Sequence, residues 1–289
     1  ERMPTDTSVV AEYRRLALGA GINPEELDLL EDDGRLAEWL VERGIVTSQK
    51  NAVCRMWTLS GATWDVDVRE LSSYEGGHGS VVWPGALLLA QWVLSNPHAF
   101  GGKRCIELGA GCGLTGIAAG RCSPSEVVLT ELANDDLIAN LRFNAATAAS
   151  QLDVAVDVAT LDWYDLSAAG FVGRFDVALG AECIYAAPHA PALAQTIARV
   201  LAPDGSFYGV SSTVRAGFLG FWHAAQEAGL TVHTTSLDTF RTELIARLGE
   251  PNGLEESRRW ANECLVETAH QSFVLFTVRR APKSSEHIV

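Results

Sequence analysis

Cys105-Ile106-Glu107-Leu108-Gly109-Ala110-Gly111-Cys112-Gly113-Leu114-Thr115-Gly116 reads as a buried strand, a glycine turn and the start of a helix. Glycines let the backbone turn sharply and bring a ligand against the main chain with no Cβ in the way, and a helix N-terminus offers free N–H groups. A polar ligand is expected here. Gly111 to Gly116 satisfies the GxGxxG spacing of dinucleotide sites, a pattern of low specificity by itself. Glu107 favours a different ligand. It stands two residues ahead of the first glycine, where a carboxylate faces a ligand ammonium, directly or through water, and repels a pyrophosphate.

S-adenosylmethionine, a zwitterionic amino acid with a sulfonium, is the ligand that gains from such an acid. The next strand ends in Leu129-Thr130-Glu131, and a carboxylate there can take both hydroxyls of a ribose. Glu131 serves either ligand class and does not separate them.

Outward from the loop, short β-branched runs alternate with helical patterns, the signature of a parallel sheet covered by helices. Strands are expected at Arg104–Leu108, Glu126–Glu131, Asp153–Ala159, Phe175–Ala181, Ser206–Ser212, Thr231–Ser236 and Gln271–Arg280. Helices are expected at Ala86–Leu94, Leu114–Arg121, Ala133–Ala149, Pro191–Leu201 and Gly217–Ala228, with Pro203-Asp204-Gly205 and Gly229 as stop signals. This is an α/β fold, a doubly wound, mostly parallel seven-stranded sheet. Residues 237–269 read as mostly helical, broken at Pro251-Asn252-Gly253. Ahead of the sheet, residues 7–19 and 24–43 read as short helices, and Cys54–Leu59 and Thr63–Arg69 as a hairpin. Residues 1–80 therefore form an N-terminal helical and hairpin extension, suited to target recognition, and 81–289 the ligand-binding domain.

Composition excludes other classes. The 289 residues are 47% hydrophobic, enough for a substantial core without metal or disulfide staples. Lys plus Arg number 22 against 36 Asp plus Glu, a formal charge of −14 that disfavours nucleic acid. The longest nearly apolar run, Val81 to Leu94, contains Pro84 and falls short of the roughly 20 residues of a membrane span. The six cysteines form no CxxC pair and no histidine falls at zinc-ligand spacing, so reduced thiols and no metal are expected. A reducing compartment, the cytoplasm with the nucleus as a second location, fits best.

Four further segments accompany the glycine loop: Val82-Trp83-Pro84-Gly85-Ala86, Leu161-Asp162-Trp163, Ala181-Glu182-Cys183-Ile184-Tyr185 and the hairpin. With them, residues 83–232 resemble the class I (seven-β-strand) S-adenosylmethionine-dependent methyltransferases, and among these the seven-strand protein lysine methyltransferases. The resemblance implies cofactor contacts from Trp83, Gly109, Ala110, Gly111, Glu131, Trp163 and Ala181. It also implies a hydrogen bond from the adenine amino group to Asp162. Its acid-x-x-Tyr motif falls on Glu182 and Tyr185, with Glu where the family usually has Asp, a departure shared with a related protein-histidine methyltransferase.

Methyl transfer from a sulfonium is an in-line displacement, so the protein must align the nucleophile and receive it deprotonated. A lysine amine, with a pKa near 10.4, is neutral in only about one molecule in 10³ at neutral pH. Glu182 and Tyr185, three residues apart at the end of one strand, are expected to face the crevice where open α/β sheets bind ligands. There Glu182 would position the amine and Tyr185 would line the channel. The expected partner is an intracellular protein with a basic surface, matching the eight acids between Glu25 and Glu42, and the chain is expected to act as a monomer. The alternatives are a protein-histidine or small-molecule N-methyltransferase and, in another class, a methyltransferase-like scaffold without catalysis.

Overall fold

In the computed structural model, residues 56–60, 65–71, 77–149, 151–165, 169–215, 217–248, 268 and 270–281 are described. The expected helices at 7–19 and 24–43, the acid run, Cys54, Cys264 and the break at 251–253 lie outside them.

A two-stranded antiparallel hairpin comes first, β1 (Met56–Ser60) against β2 (Asp65–Arg69). The remaining elements are α1 (Pro84–Ser95), β3 (Arg104–Leu108), α2 (Leu114–Gly120), β4 (Glu126–Glu131), α3 (Asp135–Ala149), β5 (Val156–Thr160), β6 (Phe175–Ala181), α4 (Ala190–Val200), β7 (Leu201–Ser212), α5 (Phe218–Glu227), β8 (Leu230–Ser236), α6 (Asp238–Leu248) and β9 (Phe273–Arg280). The seven-stranded sheet has the order β5-β4-β3-β6-β7-β9-β8. β3 to β7 pair in parallel and β9 runs antiparallel between β7 and β8.

Alternation along the strands gives the sheet two buried faces. Cys105, Val127, Leu129, Val177 and Leu179 pack into one hydrophobic cluster with α1, α2 and α3. Ile106, Leu108, Val128 and Ala178 pack into the other with α4 and α5. Phe100, Phe175, Phe207, Phe221, Phe273 and Phe276 are fully enclosed, and burying each side chain contributes about 1.5–3 kcal/mol. The layers are therefore helix, sheet, helix. Among the described residues no helix is long and apolar enough to cross a membrane.

Pro84 opens α1, where its fixed φ is already helical and its missing N–H leaves no donor unpaired. The hairpin is tied to α3 by two asparagines. Asn144 accepts the Arg69 N–H at 2.8 Å and donates to the Arg69 carbonyl, while Asn140 accepts from Arg69 Nε at 2.7 Å.

Two expectations need correction. Pro203-Asp204-Gly205 does not separate α4 from the next strand but lies inside β7, which begins at Leu201. The register shifts there: Phe175 pairs with Leu201, then Val177 with Ser206. A Cβ on Gly205 would come within 2.9 Å of the Phe175 carbonyl, so the proline and glycine serve a bulge rather than a stop. The third expected strand begins at Val156 rather than at Asp153, because ladder pairing with β4 starts at Val127 opposite Val156.

Candidate active site

The carboxyl ends of the parallel strands open on one cavity of about 530 Å³, the place where open α/β sheets bind ligands. All eleven residues singled out in the sequence line it: Trp83, Glu107, Gly109, Ala110, Gly111, Glu131, Asp162, Trp163, Ala181, Glu182 and Tyr185. So do His78, Tyr164, His189 and Arg215, which the sequence reading missed.

The loop after β3 is set by three left-handed glycines, Gly109, Gly111 and Gly113, with φ of +64°, +52° and +82°. That region penalises a Cβ, and all three glycines are crowded where one would sit, Gly113 by Leu141 at 2.7 Å. At Gly111 a Cβ would lie 2.9 Å from the Gly79 carbonyl, and at Gly109 it would lie 3.1 Å from the Trp163 ring. The Ala110 N–H donates to the Thr130 carbonyl at 2.9 Å, stitching the loop to β4. The side chain of Trp163 thus rests directly on the loop floor.

The two loop carboxylates are engaged by the backbone. Glu131 accepts the Gly111 N–H on Oε2 and the Leu132 N–H on Oε1, each at 2.8 Å. Glu107 is buried and accepts the Gly116 N–H at 2.8 Å on Oε2. The helix start therefore offers fewer free N–H groups than its sequence suggests. Burial raises the pKa of both acids, Glu107 to about 8. The Asp162 carboxylate accepts the Tyr164 N–H at 2.9 Å and is exposed on the rim.

At the other end of the cavity, Glu182 follows β6 with a φ of +54°, a left-handed conformation rare for a side chain with a Cβ. Its N–H donates to the Val210 carbonyl at 2.7 Å. The side chain is buried, and Oε2 accepts from Arg215 Nε at 3.2 Å. Burial raises its pKa, while Arg215 and the facing backbone of Ser212 and Gly85 favour the charge. Gly85 is needed here, since a Cβ on it would lie 2.8 Å from Glu182 Cγ. Glu182 is thus more enclosed than a residue simply facing the crevice.

Tyr185 is 44% exposed. It packs against His189 and His78 at centroid distances of 5.1 and 6.3 Å. Tyr164 Oη and His189 Nδ1 are hydrogen-bonded at 2.8 Å. Trp83 Nε1 donates to the His78 carbonyl at 2.8 Å, and the Arg215 guanidinium lies 5.3 Å from the Trp83 ring centroid. These aromatic and imidazole rings form a collar around the mouth. Arg215 could have been found by extending the strand-end rule to β7, because it follows Ser212 by three residues. His78 had no comparable signal in its glycine-rich joint.

Among the described residues no group of three His, Cys, Asp or Glu side chains could hold a metal ion. Cys105, Cys112, Cys122 and Cys183 are free and buried, with burial pushing their thiols up, Cys105 to about 12. They are inert packing residues.

Mouse protein-lysine N-methyltransferase EEF2KMT is 30% identical over 186 residues, covering 60% of this chain and 55% of the relative. Mouse EEF1A lysine methyltransferase 3 is 32% identical over 142 residues, covering 48% and 58%. The chain spans about half the length of these curated relatives. A solved structure of geranyl diphosphate C-methyltransferase from Streptomyces coelicolor aligns with a TM-score of 0.48 at 14% identity, covering 66% of this chain and 78% of the other. The family model described as lysine methyltransferase matches residues 65–225, more than half of the sequence. The loop, the parallel strands β3 to β7 and the cavity that gathers both motifs lie within that span, and the chain belongs to the lysine methyltransferase family.

Proposed function

We propose that this chain transfers a methyl group from S-adenosylmethionine to the ε-amine of a lysine in a protein. The observation that carries the reading is the convergence of the glycine loop and the Glu182–Tyr185 motif on one cavity. The residues present fit the family's cofactor. Left-handed glycines turn the loop backbone along the cavity, and two carboxylates line it, as a ligand that carries an ammonium and a ribose requires. Glu131 would take the ribose hydroxyls, Glu107 the ammonium, Trp163 and Asp162 the adenine, and Trp83, Gly109, Ala110, Gly111 and Ala181 would close around the remainder.

Bound there, S-adenosylmethionine supplies an electrophilic methyl group on a sulfonium. The chain supplies alignment and exclusion of water. Glu182 orients the amine through an oxygen that Arg215 does not claim, and Tyr185 and the neighbouring rings enclose its aliphatic stem. The aligned amine would take that methyl group in line, its lone pair forming the N–C bond while the C–S electrons stay on sulfur, and its extra proton would leave to solvent.

On the same reading the hairpin and the residues before it choose the target, a protein with a basic surface that meets the acids between Glu25 and Glu42. The chain acts as a monomer in the cytoplasm. The test is incubation with labelled S-adenosylmethionine and cell extract, followed by hydrolysis of the labelled protein. Methyl-lysine is the expected product. Label confined to methyl-histidine or to a small molecule would overturn the assignment.

A further inference from the structure

Among the described residues, Arg215 is the one side chain of fixed positive charge lining the cavity, against Glu107, Glu131, Asp162 and Glu182. Its place is well determined. Its N–H donates to the Ser212 carbonyl at 3.2 Å, its Nε donates to Glu182 Oε2 at 3.2 Å, and its guanidinium faces the Trp83 ring. The Glu182 side chain is 4% exposed, and its left-handed backbone aims it at the same spot.

Resting on the reading that the chain methylates a protein lysine, we infer that Arg215 is a positioning residue that keeps the target amine reactive by occupying Glu182. Without the guanidinium, a buried carboxylate held only by the backbone of Ser212 and Gly85 would bind the incoming lysine as an ammonium. An opposite charge at such range favours the charged form by about 1–3 pKa units, and an ammonium has no lone pair with which to attack. With the guanidinium on Oε2 the pair is close to neutral. Oε1 then accepts a hydrogen bond from a neutral amine without holding an extra proton on it. Glu182 gives orientation, and Arg215 removes the electrostatic trap that orientation by an acid would otherwise set.

The other titratable groups facing this end come from every surrounding segment. Glu107 and Glu131 close β3 and β4, Asp162 and Tyr164 follow β5, and Cys183 and Tyr185 follow β6. His78 and His189 lie on the short turns Gly77–Ser80 and Ala187–His189. Glu107 and Glu131 also carry the backbone hydrogen bonds of the glycine loop, which places their titration at the cofactor end.

The test is the pH profile of kcat at saturating S-adenosylmethionine, with cofactor Kd measured in parallel by calorimetry. In Arg215→Gln the rising limb is expected to move up by about one pH unit or more, with kcat on that limb falling roughly tenfold per unit. Cofactor Kd should change less than about threefold. Arg215→Lys keeps the charge and should hold the limb near its wild-type position; it also serves if Arg215→Gln does not fold. The double variant E182Q/R215Q should bring the limb back, whatever its plateau. An unmoved limb with a weakened cofactor Kd would overturn the inference in favour of a cofactor contact. A limb equally displaced in the double variant would overturn the link to Glu182. Absence of methyl-lysine from wild-type reactions would overturn the underlying reading, and the inference with it.

Discussion

At the cofactor end of the cavity, the glycine loop and both carboxylates come from residues 107–131, and main-chain hydrogen bonds hold them: Gly111 to Glu131, Gly116 to Glu107, Ala110 to Thr130. At the end proposed for the acceptor, Glu182, Tyr185 and His189 follow β6 while Arg215 follows β7, and side chains hold them: an ion pair, the guanidinium over the Trp83 indole, and packed rings. The first end is set by backbone conformation and admits almost no substitution at its glycines. The second is set by side-chain partners and can be retuned one residue at a time.

The comparison breaks most severely at Gly111→Ala. The new Cβ meets the Gly79 carbonyl at 2.9 Å on a residue with φ of +52°. Left-handed strain alone costs roughly 1–2 kcal/mol, and the displaced loop should lose cofactor affinity by tenfold or more. Thermal melts and calorimetric Kd measure both, and native-like affinity in this variant would show that the loop is not backbone-determined.

Glu107→Gln should have opposite effects on stability and on binding. The folded-state pKa is about 8 against an ordinary value of 4.5, so the folded chain keeps a proton that the unfolded chain has released. The resulting destabilisation is absent below about pH 4.5, grows as pH rises and is complete above about pH 8, on the order of a few kcal/mol. The melting temperature of the apoprotein should therefore fall more steeply with pH across that window in wild type than in Glu107→Gln. The variant should bind cofactor about tenfold more weakly. Wild-type binding between these pH values should release a proton, seen as a calorimetric enthalpy that varies with the buffer. Identical melting profiles would contradict the buried, proton-holding carboxyl.

The smallest effect is expected at the rim. Tyr164→Phe removes the hydroxyl bonded to His189 Nδ1 and the Pro188 carbonyl, a net change of about 0.5–1.5 kcal/mol. KM for the protein substrate should rise a few-fold while cofactor Kd stays constant. A change in cofactor Kd instead would move Tyr164 to the other end of the cavity.

Much of this was legible in the chain. β3, β4 and β6 have the expected bounds, because each is a short apolar run closed by a turn signal and buried on both faces. The bulged start of β7 was not legible, since Pro203-Asp204-Gly205 carries the same signal for a bulge as for a stop, and only pairing with Phe175 distinguishes them. Arg215 was missed for a related reason. Its position after β7 was legible, but its significance comes from the acid that β6 delivers beside it.

The sequence by itself determined the ligand end: the glycines, Glu107 and Glu131 lie close along the chain, and backbone sterics and charge act over that range. Tertiary structure alone decided the partnership of Glu182 with Arg215. The parallel pairing of β6 with β7 brings Glu182 to Arg215, 33 residues apart, at 3.2 Å, and burial turns that proximity into an ion pair that water would otherwise screen.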